Sequence, residues 1–416
     1  MQQFLYTLSI HLLRLGFILG APFNQKARQF VQGRKDIFKK LASAFSEKKT
    51  HKLVWVHCAS LGEFEQGRPL IEALKAKLPQ AKILLTFFSP SGYEVRKNYT
   101  VADFIFYLPW DTPKQAAQFV TITKPDMAIF VKYEFWYHYT VALKKSGSHI
   151  VSASCILRPD QIFFKSYGSL FRKLLQNFDF FFTQNSETKS LLSTIGISNS
   201  KVAGDTRFDR VMEIIKKGSE IEQAKKFKNG QKLFVVGSCW PEDFDILAPF
   251  INENNNTLKF IIAPHEISNS FISEIEKSLQ VKTARFSEEK PDIEECSVLI
   301  IDNIGMLSKL YRYGEFAFVG GAFGKGLHNI LEAACYGIPI FFGNKNYDKY
   351  KEANDLIMRG GAFEVSGYAD LKANYELMID RPENFLLACE VTRSYVEENL
   401  GATKKIMDYC VPILSK

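Results

Sequence analysis

Residues 52–89 read KLVWVHCASLGEFEQGRPLIEALKAKLPQAKILLTFFS, and this stretch decides the fold. Its opening, KLVWVHCAS, is an apolar run of strand length. Glu63 to Leu78 carries apolar residues at helical spacing, and KILLTFFS is again a strand. Strand, helix and strand in close succession are the unit of a parallel sheet with helices on its faces. Downstream the unit repeats. PSGYEVRKN opens a helix. DFIFYLP, DMAIFVKYEFW, HIVSAS, FDFFFTQN and SKVAGDTRFD read as strand segments separated by helical ones.

A polar, Lys- and Gly-rich break comes next at 216–232, and then the pattern restarts. LFVVGSCW, LKFIIAPH, SVLIID, EFAFVGGAF and PIFFG are the strands of the second series, with helices beginning near Pro241, Glu266, Met306, His328 and Asp348. The fold class expected is α/β: two Rossmann-like domains facing across a cleft, with ligands outside the carboxyl ends of the strands. The boundaries expected are a basic, apolar segment at 1–50, domains at 51–215 and 230–385, and a helical segment at 386–416 that packs back on the first domain. A chain of 416 residues accommodates two or three domains at about 150 residues each.

Composition narrows the function. With 46% apolar and 24% charged residues the chain is no disordered tail. Seven Cys without C-x-x-C spacing argue against a zinc ribbon or disulfide framework. The net charge of +8 is concentrated: residues 1–50 hold nine Lys and Arg against Asp36 and Glu47. A nucleic-acid groove would spread its charge over the domains, so no nucleic-acid partner is expected. The same end is apolar, FLYTLSIHLLRLGFILGAPF from Phe4 to Phe23. Arg14 near its centre disfavours a spanning helix by roughly 2.5–3.5 kcal/mol. A helix in the interface plane lets Arg14 reach water, with the adjoining basic cluster on an anionic membrane surface; Leu5, Leu8, Leu12 and Phe17 would form its apolar face. A helix packed in the core is the other reading.

Two motifs carry the chemistry. Ser60-Leu61-Gly62-Glu63 ends the first strand and opens a helix. Its spacing is that of a capping box; equally, Gly62 admits another molecule and the Glu63 carboxylate can take a proton from a hydroxyl. VGGAFGKGLHNILEAACYGIP (319–339) is a glycine loop leading to a helix expected to start at His328 or Asn329. Such loops hold phosphate through backbone N–H groups. Asn329 and Glu332 would share a helical face, with Glu332 either on a ribose or an ordinary helix acid. Ser238 and His265 end strands where a nucleotide would lie, and Glu134 precedes Trp136. No H-E-x-x-H or G-x-S-x-G occurs, and no metal is expected.

At these residues the chain resembles the 3-deoxy-D-manno-octulosonic acid (Kdo) transferases of lipopolysaccharide assembly. The resemblance runs from the N-terminal helix through VWVHCASLGEFEQGRPLI, TFFSPSGYE, YLPWDTP and VAGDTRFDRV to FVGGAFGKGLHNILEAACYGIPIFFG. It implies a GT-B fold and an inverting, metal-independent and cofactor-free transfer of Kdo from CMP-Kdo to a lipid A precursor. The place implied is the cytoplasmic face of the inner membrane. Glu63 matches the catalytic base. Ser60, Gly62, Glu134 and Trp136 fall on the acceptor side; Ser238, His265, Gly326, His328, Asn329 and Glu332 fall on the nucleotide side. Lys132, Tyr137, His138, Pro264, Met306 and Leu327 depart from the family blocks. The alternatives are another GT-B enzyme, such as a soluble-substrate transferase or sugar-nucleotide epimerase, or a non-enzymatic membrane-surface protein. Release of CMP from CMP-Kdo, with and without lipid A precursor, separates them.

Overall fold

The computed structural model describes residues 1–47, 49–218 and 220–416, with Lys217 by its backbone only. Lys48 of the basic segment and Ser219 of the expected break lie outside the described residues. The chain forms two compact units, Met1–Arg210 with Leu400–Lys416, and Val211–Asn399.

The sheet of the first unit is built from β1 (Leu53–Cys58), β2 (Lys82–Phe87), β3 (Phe104–Tyr107), β4 (Met127–Val131), β5 (His149–Cys155), β6 (Phe180–Thr183) and β7 (Ser200–Val202). Their order is β3-β2-β1-β4-β5-β6-β7, parallel throughout. A parallel sheet covered on both faces needs apolar residues on both, and β1 is buried at every position. Leu53 and Trp55 join the core on one face, and Val54, Val56 and Cys58 the core on the other.

The second unit repeats the plan with β8 (Lys232–Cys239), β9 (Leu258–Pro264), β10 (Thr283–Arg285), β11 (Val298–Ile300), β12 (Phe316–Val319), β13 (Ile340–Gly343) and β14 (Ala362–Val365). The order is β10-β11-β9-β8-β12-β13-β14, again parallel. Both sheets change winding direction beside their first strand. In such sheets ligands bind at the carboxyl edge near that point.

Three expectations about element boundaries need correction. The segment 386–416 divides. The helix Pro382–Glu398 belongs to the second unit, and only Ala402–Leu414 packs on the first, against the helix Leu61–Lys77. The break at 216–232 contains a helix, Glu222–Lys228, because Ala224 and Phe227 have a core to enter. The helix after the glycine loop starts at Leu331, not His328, and spans only Leu331–Ala334.

The N-terminal helix Gln2–Gly20 is long and apolar enough to cross a membrane by length and composition. It is not a core helix. Ile10 is buried, and Phe17 stacks on Phe30 at 3.9 Å between ring centres. Phe4, Leu5, Leu8, Leu12, Leu15 and Leu19, on the opposite face, are exposed. Phe17 therefore stands on the docked face, not with Leu5, Leu8 and Leu12. Arg34 pins the end of the next helix, Gln25–Gly33. It is buried, donates to the carbonyls of Leu108, Phe30 and Phe88, and lies 3.9 Å from the Phe30 ring.

Candidate functional site

In the first unit the chemistry gathers after β1 and β4. Glu63 is the third residue of the helix Leu61–Lys77 and is 9% exposed. The capping-box geometry is absent: Ser60 makes no side-chain bond to the helix N–H groups. Its hydroxyl donates instead to Glu63 Oε2, while Lys132 Nζ stands 3.9 Å from Oε1. Both carboxylate oxygens are thus oriented by side chains. A Cβ on Gly62 would meet only Ser60 Oγ at 3.7 Å, so the helix start is open to another molecule.

Lys132 reaches Glu63 because its backbone is left-handed, with φ of 69°; that turn swings the chain out of β4. Four residues on, the Trp136 indole N–H donates to His57 Nε2 at 3.1 Å, and Glu134 Oε2 lies 3.8 Å from the same nitrogen. An indole nitrogen only donates, so the His57 ring proton sits on Nδ1, where Thr86 Oγ1 accepts it at 2.8 Å. Thr86 also accepts from Trp55 Nε1 at 2.8 Å. His57 was not read from the sequence; the signal was a polar residue within the otherwise apolar run LVWVHC. Ser60, Gly62, Glu63, Glu134 and Trp136 all stand at the carboxyl edges of β1 and β4.

The second site lies at the carboxyl edge of the second sheet. Ser238, in β8, has φ of 51° at an irregularity in the β8–β9 pairing. Gly320 packs so closely that a Cβ there would meet Ser238 O at 2.3 Å. The loop closes by Gly326 N–H donating to Gly321 O at 2.9 Å, and φ of 131° at Gly326 is glycine territory. Trp240, absent from the sequence reading although it directly follows β8, organises the histidines. It stacks on His265 at 4.3 Å, and His265 packs on His328 at 4.3 Å. Its indole donates to His328 Nε2 at 3.1 Å. Burial, and then the neighbouring His265, hold His328 down at about 4. Burial also lowers His265. Lys325 Nζ lies 4.2 Å above the Trp240 ring.

Asn329 precedes the short helix Leu331–Ala334 rather than lying on it, yet its amide donates to Glu332 Oε1 at 3.2 Å. A four-residue helix brings little dipole. One D-x-D spacing does occur, Asp243-Phe244-Asp245. Asp243 is fully buried and accepts the N–H groups of Trp240 and Gly321, both at 2.9 Å. Burial raises it to about 6. Asp245 is exposed two residues along the same helix and points away from it. Among the described residues, no group of three or more His, Cys, Asp or Glu is placed to hold a metal ion.

Residues 34–210 match the family model described as 3-Deoxy-D-manno-octulosonic-acid transferase (kdotransferase). The 3-deoxy-D-manno-octulosonic acid transferase of Aquifex aeolicus is 30% identical over 346 residues, 81% of this chain and 88% of the relative. The chain belongs to the Kdo transferase family. Its Haemophilus influenzae relative of the same name is 23% identical over 87% of each chain. The UDP-GlcNAc 2-epimerase of Neisseria meningitidis, solved with UDP-GlcNAc, superposes with a TM-score of 0.61 at 15% identity, covering 87% of this chain and 100% of that one. That likeness shows the fold alone: two parallel-sheet α/β domains of the GT-B kind. As a Kdo transferase the protein is a glycosyltransferase enzyme of lipopolysaccharide synthesis. Lys132 faces Glu63, and Tyr137 and His138 both touch the N-terminal helix.

Proposed function

We propose that this Kdo transferase moves Kdo from CMP-Kdo onto a lipid A precursor with inversion, using Glu63 as general base. The observation that carries the reading is the Glu63 carboxylate at the carboxyl edge of β1, oriented by Ser60 and Lys132. A carboxylate so placed takes the proton from the attacking acceptor hydroxyl while that oxygen bonds to the anomeric carbon. The bond to the CMP phosphate oxygen breaks with its electron pair on the nucleotide. CMP is a weakly basic leaving group, so no strong general acid is required. Gly62 leaves the acceptor room, and Glu134 and Trp136 line its side. In the second unit the donor phosphate sits on the Gly320–Gly326 loop; the N–H groups of Gly320, Gly321, Gly324 and Gly326 are engaged within the fold, so the other N–H groups of the loop face the anion, with Gly326 and His328 beside it. Asn329 and Glu332 meet the ribose hydroxyls, and Ser238 and His265 complete the nucleotide side. No metal ion or other cofactor is required in this reading.

The acceptor keeps to the bilayer through its acyl chains, at about 0.8 kcal/mol per buried CH₂, so the enzyme has to come to the membrane. The bare face of the Gln2–Gly20 helix and the basic residues beyond it support a seat on the cytoplasmic face of the inner membrane.

The test is CMP release from CMP-Kdo with lipid A precursor present. Glu63→Gln should lower turnover by roughly 10²–10⁴, leaving fold and CMP affinity intact. Chelator should not slow the parent. Near-parental turnover in the variant returns Glu63 to a structural role, and a parent that releases no CMP overturns the reaction.

A further inference from the structure

The helix Tyr137–Ser146 begins one residue after Trp136 and three after Glu134. Its first N–H groups have no partner within the helix, and Trp136 at its N-cap supplies no side-chain cap. The partners come from elsewhere. His138 N–H and Tyr139 N–H donate to the two oxygens of Asp111, at 3.1 and 3.0 Å. Tyr137 N–H donates to the hydroxyl of Tyr6 at 3.3 Å, and that hydroxyl donates to Asp111 at 2.5 Å. Asp111 is 1% exposed, so water does not substitute for these partners. Thr7, the next residue of the N-terminal helix, adds a bond of 2.9 Å to His138 Nε2.

The segment fixed in this way is the turn 132–136, held at one end by Lys132 N–H on Ala153 O at 2.7 Å and at the other by this cap. Trp136, at its end, reaches His57. Tyr6 points into the domain from the side of its helix opposite the exposed stripe Phe4, Leu8, Leu12 and Leu19. One helix therefore presents apolar residues outward and builds a hydrogen-bonded cap inward.

We propose that Tyr6 is a positioning residue of the acceptor site: with Asp111 it closes the N-terminus of the Tyr137–Ser146 helix and thereby sets the turn that carries Glu134 and Trp136. The N-terminal helix is then part of the site's wall as well as an anchor. The inference rests on the proposed acceptor role of Glu134 and Trp136.

Tyr6→Phe in the full chain tests it, because it keeps the ring and removes only the hydroxyl. Hydrogen exchange of the amides of 137–139 should quicken by at least about tenfold, the size of one lost hydrogen bond to a charged partner, while exchange in β1 and β4 stays parental. Turnover should fall about five- to tenfold with acceptor in detergent micelles as well as on vesicles, with vesicle binding and CMP affinity unchanged. Should Tyr6→Phe loosen the whole unit, Asp111→Asn, which keeps the shape and alters the acceptors, is measured in the same way. Parental exchange at 137–139, or a turnover loss confined to vesicles, leaves the helix a simple anchor and overturns the proposal. Should the parent transfer no Kdo, the reaction assigned above fails, and the exchange measurement still decides whether Tyr6 sets the turn.

Discussion

His328 shows how single residues in the second site are held. Its ring is packed against His265 and takes the Trp240 indole N–H, and burial keeps it at about 4, below the usual value of about 6.5. The folded state thus binds its proton less readily than the unfolded chain does. Above about pH 6.5 the ring affects stability little; as pH falls from there toward 4, the unfolded chain takes up the proton first and the native state weakens. A ring titration by NMR should place His328 below pH 5. Titration near 6.5 would show that the stack does not exclude the imidazolium. Histidine as a residue type was legible in H-N-x-L-E, but its protonation was not, because Trp240 lies 88 positions away in sequence.

At the scale of the element, the Gln2–Gly20 helix is apolar on two sides for different reasons. Ile10 and Phe17 face the domain, whereas the stripe from Phe4 to Leu19 faces away. Leu8→Glu with Leu12→Glu changes only the stripe. This pair should release the protein from anionic vesicles at moderate salt, judged by co-sedimentation, with CMP affinity unchanged. Full sedimentation of the double variant would remove the stripe from the membrane reading. The helix and its leucines are plain in the sequence, and so is the side of Phe17: seven residues after Ile10 and five after Leu12, it falls by helical spacing on the Ile10 face, and grouping it with the leucines neglects that period. Length explains what else was legible. Long apolar strands such as β1 and β8 announced themselves, whereas β10 (Thr-Ala-Arg) and β14 (Ala-Phe-Glu-Val) are short edge strands with polar residues and did not. The pattern starts the helix at Leu331 too early because a glycine loop and a helix start share the same small and polar residues.

At the scale of the molecule, the first unit is discontinuous in the chain. Ala402, Ile406, Met407, Cys410 and Leu414 enter its core, and Asp209 caps their helix by accepting Gly401 N–H at 2.7 Å and Thr403 N–H at 2.6 Å. Burying five such side chains contributes roughly 1.5–3 kcal/mol each for the larger ones, comparable with a whole domain's margin of about 5–15 kcal/mol. Deleting residues 400–416 should therefore unfold the first unit at a much lower temperature, seen as early loss of Trp55, Trp110 and Trp136 fluorescence, while CMP still binds the second unit. An unchanged melting temperature would show the helix to be dispensable. Two units were legible from the repeated strand–helix pattern. The split within 386–416 was not, because both helices there are amphipathic and their sequence does not say which core each joins.

The same discontinuity bears on biosynthesis. The ribosome completes residues 1–210 and then all of 211–399 before the helix that closes the first unit is made. At about 5–20 residues per second that interval is roughly 10–40 s. During it the apolar face of Leu61–Lys77 has no cover from Ala402–Leu414, and by its end the second unit has its entire sequence and can fold ahead of the first. The nascent chain therefore carries a sticky, half-closed domain beside an apolar N-terminal helix. That is the period in which ribosome-bound chaperones or the membrane itself would be needed to shield it.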